Sequence, residues 1–325
     1  MSAAACNPIV LIGMHRSGTS MVIRMLQQMG VFIGWELDAN GEAVYFVRRN
    51  RAILEAQGAR WDRPAPIDEL LDHEPLRRRL VQTLAGELST PGVASYLGPG
   101  RYLRYRSLER FDRPWAWKDP RNTLLLRPWM EVFPAAKVVH VVRNGVDVAL
   151  SLARREARRL DYVLGEEAGV GSFLGLLASP PEGCSRSAWA FSQIRLRTAT
   201  KERLARRFLQ LRVHPSIDPA RGFELWEEYL SRAEANARYV GEDMLQLRYE
   251  DVLRDPAGAA HHLATFCGID AAPQRLAAAA AAVDASRGGR PRSGAATTSL
   301  LERARGNERL RDLGYTESFA GSGEG

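Results

Sequence analysis

The 325-residue chain has few cysteines and lacks any segment of the kind that crosses a membrane. Its three cysteines, Cys6, Cys184 and Cys267, are far apart and form neither a metal-site spacing nor a C-x-x-C motif. The N-terminus has no basic region followed by a long apolar region, and no window approaches about 18 uninterrupted apolar residues. These absences favour a reduced compartment, and we expect a cytoplasmic protein without an integral membrane segment.

The composition is that of a globular protein with a basic surface. Hydrophobic residues make up 45% of the chain, the formal net charge is +7, and most of the 45 basic residues are arginine. Two arginine clusters stand out, Arg77 to Arg79 and the group Arg154, Arg155, Arg158 and Arg159. Either could bind phosphate, sulfate or carboxylate, although a solvated helix face explains both more simply. Nucleic acid is not the expected partner, because no aromatic residues are interleaved with the basic ones.

Residues 13–20, GMHRSGTS, come close to a phosphate-binding loop but lack its lysine. Gly13, Gly18 and Ser20 fit the pattern G-x-x-x-x-G-K-[ST], whereas Thr19 stands where lysine is expected. Residues 8–13 predict a buried strand, and the apolar residues after the loop recur at helical spacing. Strand, glycine loop and helix form the context in which backbone N–H groups bind an anion. The nearest cation, Arg16, lies inside the loop.

The rest of the chain predicts an α/β fold. The run KVVHVV, residues 137–142, is followed by a helical pattern over 145–160, which indicates a second strand–helix unit of a parallel sheet. Further predicted elements are helices over 42–57, 223–240 and 277–282, strands over 114–120 and 244–251, and a Gly/Ser/Arg-rich loop over 286–299. We therefore expect a P-loop-type three-layer α/β/α fold with a central, mostly parallel sheet, formed as a single domain by residues 1–325.

Three cations follow or lie beside predicted strands: Arg16, Lys118 and Arg143. Ligands of open α/β sheets bind at the carboxyl ends of the strands. The three cations are therefore expected to converge on one polyanion, although each alone is as easily a solvated residue.

Four motifs in order give the chain a family resemblance. GMHRSGTS, WKDPR, VVRNGVDVALS and LRYEDVLRDP span roughly residues 8–256. Together they resemble the sulfotransferases that use 3′-phosphoadenosine 5′-phosphosulfate (PAPS), especially bacterial members and the Golgi tyrosylprotein and carbohydrate enzymes. The resemblance explains the displaced cation, because the 5′ end of PAPS presents one phosphate and a terminal sulfonate where a kinase donor has β and γ phosphates that need a metal.

The resemblance implies a donor site without a metal. In the family a [KR]-S-G-T-[ST] core grips the 5′-phosphosulfate, an arginine and a serine eight residues later hold the 3′-phosphate, a tyrosine lies near the adenine, and a basic glycine-containing loop closes on the 3′-phosphate. The matching residues here are Arg16, Ser17, Gly18, Thr19 and Ser20, with Gly13, Met14 and His15 in the same loop, then Arg143 and Ser151, Tyr249, and Arg287 and Gly288. Asn144 replaces an aspartate found in many relatives.

The resemblance also implies the catalytic residues. Arg16 and Lys118 are assigned to the leaving oxygen and the sulfonate, and Glu42 to the general base that deprotonates the acceptor. The histidine that serves cytosolic relatives as base is replaced by Pro120. The alternatives are a solvated glutamate at a helix start for Glu42 and a structural pair with Asp119 or a nearby acid for Lys118.

Three function hypotheses remain at this point. The first is PAPS-dependent transfer of sulfonate to a hydroxyl, with saccharides among the candidate acceptors; residues 32–110 and 151–222 are then helical insertions on the acceptor side, and 286–325 a C-terminal loop and tail. The second is a P-loop kinase, which the displaced lysine disfavours. The third is a nucleotide-binding module that has lost catalysis.

Overall fold

A four-stranded parallel sheet forms the centre of the protein. A computed structural model describes residues 6–164, 214–287 and 295–315. The strands are β1 (Pro8–Ile12), β2 (Trp115–Lys118), β3 (Lys137–Val142) and β4 (Met244–Arg248). Their order is β2-β1-β3-β4, and each of the three pairings is parallel, so the four carboxyl ends lie at one edge. All four strands were predicted from the sequence.

Helices cover both faces of this sheet. Numbered along the described residues, they are α1 (Thr19–Gln28), α2 (Val44–Ala56), α3 (Asp68–Asp72), α4 (Glu74–Glu87), α5 (Ala94–Leu97), α6 (Pro99–Tyr105), α7 (Asn122–Val132), α8 (Gly145–Leu164), α9 (Pro219–Val240), α10 (Tyr249–Arg254), α11 (Pro256–Cys267), α12 (Pro273–Ala281), α13 (Ala295–Arg305) and α14 (Glu308–Asp312). Short 3₁₀ helices lie at Ala65–Ile67, Pro91–Val93, Leu108–Arg110, Pro215–Ile217, Gly241–Asp243 and Ala285–Arg287. Among these described helices none is long and apolar enough to cross a membrane.

Two hydrophobic cores lie on opposite faces of the sheet, because side chains alternate along a strand. Val10 and Ile12 of β1 pack into a large core with residues of α2, α7, α8 and α9. Ile9 and Leu11 pack into a second core with residues of α1, α11 and α12. The predicted three-layer α/β/α arrangement is confirmed.

A fully buried polar network fixes the chain where it leaves β2. The Asn50 side-chain NH₂ group donates to Asp119 Oδ2 at 2.9 Å and to Asn122 Oδ1 at 2.8 Å. The side-chain oxygen of Asn50, Oδ1, accepts from Trp129 Nε1 at 2.8 Å. Trp117 Nε1 donates to Asn122 Oδ1 at 3.1 Å, and Asn122 donates in turn to a β1 carbonyl. Buried polar groups need such partners, so the network determines how the segment after β2 packs on β1.

The structure differs from the predicted elements at two places. The chain after β4 continues as α10, where a loop was expected. The predicted glycine-rich loop 286–299 ends earlier, because α13 begins at Ala295, and α14 lies within the predicted tail. Leu300, Leu310 and Tyr315 of this region are buried in the large core, which explains the helices. Residues 165–213, 288–294 and 316–325, which complete the predicted insertion 151–222, loop and tail, lie outside the described residues.

In the arginine cluster 77–79, Arg77 is buried, although the cluster was predicted to be a solvated helix face. Arg77 donates to Glu131 Oε1 of α7 at 2.9 Å and to the Leu71 carbonyl at 2.6 Å. Arg78 pairs with Glu74 on the surface of α4. This cluster therefore ties α4 to α7.

Replacement of Asn50 tests the buried network. Asn50→Ala leaves Asp119, Asn122 and Trp129 short of partners, and we expect the free energy of unfolding to fall by about 2–4 kcal/mol. Arg48→Ala, at an exposed position of the same helix, is the control and should change it by less than about 0.5 kcal/mol. Urea unfolding measures both, and equal midpoints for the two variants would contradict the role of the network.

Candidate active site

The loop between β1 and α1 has the backbone geometry of an anion cradle. Gly13 and Gly18 have φ of 137° and 100°, and Arg16 also adopts a left-handed φ of 72°. The Ser17 hydroxyl donates to the Met14 carbonyl at 2.7 Å, which closes the turn internally. Among the described residues, α1 has no side-chain cap and no acid in its first turn. Its first N–H groups and its positive dipole end are therefore suited to an anionic ligand.

Lys118 connects three separate segments at the carboxyl end of β2. Its side chain is buried, and its ammonium donates to Ser20 Oγ at 3.0 Å and to the Asn40 carbonyl at 3.1 Å. The same Nζ lies 3.0 Å from Glu42 Oε1. Lys118 pairs with Glu42 and not with Asp119, which binds Asn50 and Arg121. The described contacts thus include the pair with a nearby acid that the alternative for Lys118 expected.

Glu42 lies in a turn just before α2 and is held from both sides. Asp38 Oδ1 accepts from the backbone N–H groups of Asn40 and Glu42 at 2.8 Å each, which fixes the turn. Burial raises the pKa of Glu42 to about 7, against the opposing attraction of Lys118. Arg121 Nη1 lies 4.0 Å from Glu42 Oε2. The sequence alternative of a solvated helix-start glutamate is wrong, since Glu42 is only 5% exposed.

A second group of predicted residues meets at the other end of the loop. Arg16 Nε donates to Ser151 Oγ at 3.0 Å, and Arg143 Nη1 donates to the Arg16 carbonyl at 3.3 Å. The Arg143 guanidinium lies 4.5 Å from the centre of the Tyr249 ring, and that ring also abuts Gly18. Arg143, which follows β3, Ser151 of α8 and Tyr249 of α10 thus surround the corner of the loop that holds Arg16.

One cavity of about 520 Å³ connects these two groups. The predicted residues that line it are His15, Arg16, Gly18, Thr19, Ser20, Glu42, Lys118, Arg143, Ser151 and Tyr249. Gly13, Met14 and Ser17 are buried beneath the loop and shape it from below. Arg287 ends a short 3₁₀ helix, and its side chain and Gly288 lie outside the described residues.

The structure adds cavity residues that the sequence analysis did not identify. They include Arg24, Arg60, Trp61, Arg121, Glu156, His214 and Asp284. The cavity is also lined by Arg154, Arg155 and Arg159 of the second arginine cluster, which the sequence analysis named as a possible anion-binding group. Trp61 stacks on His214 with ring centres 4.8 Å apart and contacts His15 edge-on at 4.6 Å. Arg121 lies within the WKDPR motif, so it could have been identified from the sequence. Trp61 and His214 are far apart in the chain and carried no local signal.

Two histidines near the site, His15 and His140, have lowered pKa values. Burial, reinforced by Arg155, Arg121, Lys118 and Arg16, lowers the pKa of His15 well below its usual value. Burial also lowers the pKa of His140 to about 4. His15 therefore offers the cavity an uncharged ring.

The donor groups of the cavity suit an anion better than a metal ion. Among the described residues, no group of three or more His, Cys, Asp or Glu side chains is arranged to hold a metal. The cavity instead presents loop N–H groups, hydroxyls, guanidinium groups and an ammonium, the set that binds phosphate and sulfonate oxygens. The fold and site thus define an α/β protein with a cavity at the carboxyl edge of its sheet that is rich in cationic and hydroxyl side chains.

Comparison with known proteins places the chain in a family. The family described as "Sulfotransferase family" matches residues 8–168, and the one described as "Sulfotransferase domain" matches residues 123–284. The chain belongs to the sulfotransferases, enzymes that transfer a sulfonate group. No curated protein matches it. The specific likeness to Golgi enzymes stays a prediction.

Several solved structures are distantly similar. A sulfotransferase from Alicyclobacillus acidocaldarius is 17% identical with a TM-score of 0.44, and the match covers 97% of this chain and 96% of that one. The sulfotransferase domain of the Synechococcus PCC 7002 olefin synthase is 18% identical with a TM-score of 0.41, covering 98% and 97%. A sulfotransferase from Mycobacterium tuberculosis H37Rv is 17% identical with a TM-score of 0.41, covering 86% and 72%. The family assignment rests on the two family matches.

Two glycine substitutions test the loop geometry. Gly18 has a positive φ, and a Cβ there would lie 2.3 Å from the Tyr249 ring, whereas Gly41 has a φ of +73° with nothing within 4 Å. Gly18→Ala should lower the free energy of unfolding by about 2–4 kcal/mol, and the control Gly41→Ala by about 1–2 kcal/mol. Thermal unfolding measures the difference. Equal losses would mean that Tyr249 does not pack on the loop.

Proposed function

We propose that the protein transfers the sulfonate of PAPS to the hydroxyl group of a small acceptor. The observation that carries this proposal is the single cavity in which the loop, the Lys118–Glu42 pair and the Arg143–Ser151–Tyr249 group meet. PAPS has two separate anionic groups, the 5′-phosphosulfate and the 3′-phosphate, on a ribose that also carries the adenine. A site with cations at two corners and an aromatic ring beside one of them matches this distribution of charge.

The donor would lie along the loop. Its 5′-phosphosulfate fits the first N–H groups of α1, with Arg16, Thr19 and Ser20 around it. Its 3′-phosphate fits Arg143 and Ser151, and its adenine fits Tyr249. Arg287 and Gly288 are proposed to close over the 3′-phosphate from the C-terminal side.

Lys118 is proposed to exchange one contact during the reaction. Its ammonium has three N–H donors, and three oxygens already surround it. A sulfonate oxygen therefore has to replace one of these three oxygens. Two of them are neutral, the Asn40 carbonyl and the Ser20 hydroxyl. Replacement of the Asn40 carbonyl would place the ammonium beside the sulfonate, next to the bridging oxygen that accumulates charge as its bond to sulfur breaks.

The chemical step is an in-line displacement. The acceptor oxygen forms a bond to sulfur, the bond from sulfur to the bridging phosphate oxygen breaks, and that oxygen leaves with its electron pair as the 5′-phosphate of 3′,5′-bisphosphoadenosine (PAP). Glu42 takes the acceptor proton as general base. Its pKa of about 7 suits this role, because a base works best when its pKa lies near the working pH.

Binding of PAP tests the donor site. PAP should stabilise the protein in thermal shift assays, whereas Mg·ATP should not, and the opposite result would favour a kinase. Arg143→Ala should weaken PAP binding by about 10- to 100-fold, since a charged partner of a phosphate is lost. Arg110→Ala, an exposed control, should bind PAP like the unaltered protein. Calorimetry gives the affinities.

Replacement of Glu42 tests the general base. Glu42→Gln should lower turnover by about 10²- to 10⁴-fold and leave PAP affinity unchanged, because the amide cannot accept the proton. In the unaltered protein the rate should rise with pH through about 7, since only the ionised carboxylate acts as a base and its pKa is raised to that value. The exposed control Glu242→Gln should keep both the rate and the pH profile. Near-normal turnover of Glu42→Gln would remove Glu42 from the mechanism.

A further inference from the structure

A second cavity adjoins the one proposed for the donor. It has a volume of about 360 Å³ and shares Arg60, Trp61, Arg121, Arg159 and His214 with the first cavity. Its remaining lining residues, Arg51, Leu54, Glu55 and Ala59, belong to α2 and the segment that follows it. The volume suits a small molecule or one end of a longer one.

The second cavity is rich in arginines, and the carboxylates that pair with three of them, Asp62, Asp119 and Glu156, are not among its lining residues. Four arginines line it, and Glu55 is the one acidic residue among its lining residues. Glu55 is paired with Arg51 at 2.6 Å, at the exposed edge. Arg60 and Arg121 therefore line the second cavity, whereas the carboxylates that pair with them, Asp62 and Asp119, do not.

Carboxylates behind the wall orient these two arginines. Arg60 donates through Nε and Nη2 to the two oxygens of Asp62 at 2.9 and 3.2 Å, and Arg121 donates through Nη1 to Asp119. Within the described ranges, Arg60 Nη1 and Arg121 Nη2 make no hydrogen bond and remain available as donors. Burial by itself would raise the pKa of Asp62, but hydrogen bonding by His214 and the charge of Arg60 lower this pKa to about 2. The carboxylate that orients Arg60 therefore stays ionised.

The opposite side of the second cavity is apolar. Leu54 and Ala59 are buried beneath it, and Trp61 forms the wall shared with the first cavity. Trp61 is held in place by its stack on His214, which is itself 3.0 Å from Asp62. A ligand here meets hydrocarbon and an aromatic ring on one side and oriented guanidinium groups on the other.

Given the proposed sulfonate transfer, we propose that the second cavity binds the acceptor and selects an acidic one. The acceptor is a hydroxyl compound whose carboxylate, sulfate or phosphate group binds Arg60 and Arg121 and whose body packs on Trp61 and Leu54. Arg121 brings the bound acceptor close to the proposed base, because Arg121 Nη1 also lies 4.0 Å from Glu42 Oε2. An acid anchored on Arg121 presents a nearby hydroxyl to the base.

Matched pairs of acceptors test this selection. In ³⁵S-labelled PAPS transfer assays, 4-hydroxyphenylacetate is compared with tyrosol, and glucuronate with glucose, because the members of each pair differ mainly in the acidic group. The acidic member of at least one pair should have a kcat/KM at least 10-fold higher. Arg60→Gln should remove that preference by lowering kcat/KM with the acidic member at least about 10-fold more than with the neutral member, and Arg60→Lys should restore part of it.

The controls separate the second cavity from the donor site. Arg63→Gln, at an exposed arginine that lines neither cavity, should keep the preference, and PAP affinity should be equal in all variants. Binding of 4-hydroxyphenylacetate and glucuronate is also measured by calorimetry without donor, so that the acceptor site is tested even if PAP fails to bind. Equal use of acidic and neutral members, equal losses for both in Arg60→Gln, or no donor-independent binding of either acid would overturn the proposal.

Discussion

The buried ammonium of Lys118 is the constraint on which the site depends. It joins the end of β2, the first turn of α1 and the turn at residues 38–42, which are far apart in the chain. A charge removed from water must be compensated, so its three oxygen partners are held close to it. The same compensation keeps Glu42 inside the cavity, where burial moves its pKa into the range useful for a base.

The polar network beneath β2 explains how one short motif serves two purposes. In WKDPRN, Lys118 and Arg121 line the cavity, while Asp119 and Asn122 are buried and bound to Asn50. Asp119 also binds the backbone and side chain of Arg121, and so orients that arginine. The part of the motif that stabilises the fold therefore positions the part proposed to meet substrates.

The geometry of a parallel sheet explains why the cations gather at one place. Residues that follow β1, β2, β3 and β4 all emerge at the same edge, where a helix also begins with its positive end. Carboxylates are placed beside several of these cations, such as Asp62 by Arg60 and Asp119 by Arg121, and they orient the cations without filling the cavity. The result is a site with a preorganised positive potential, the feature that stabilises developing negative charge at low reorganisation cost.

The sequence by itself determined the strands, the order of the layers and the residues of the loop, because these follow from apolar periodicity and from glycine spacing within a few residues. It also indicated that Arg16, Lys118 and Arg143 would converge, since parallel strands end at one edge. Only the tertiary structure decided that Glu42 pairs with Lys118, that Trp61 stacks on His214 and that Arg60 and Arg121 share a second cavity. It also showed that α13 and α14 form where a loop and tail were expected. The contacts of Glu42 with Lys118 and of Trp61 with His214, and the shared cavity of Arg60 and Arg121, join segments up to about 150 residues apart. Their energy comes from desolvation and packing that exist only once the whole chain has folded.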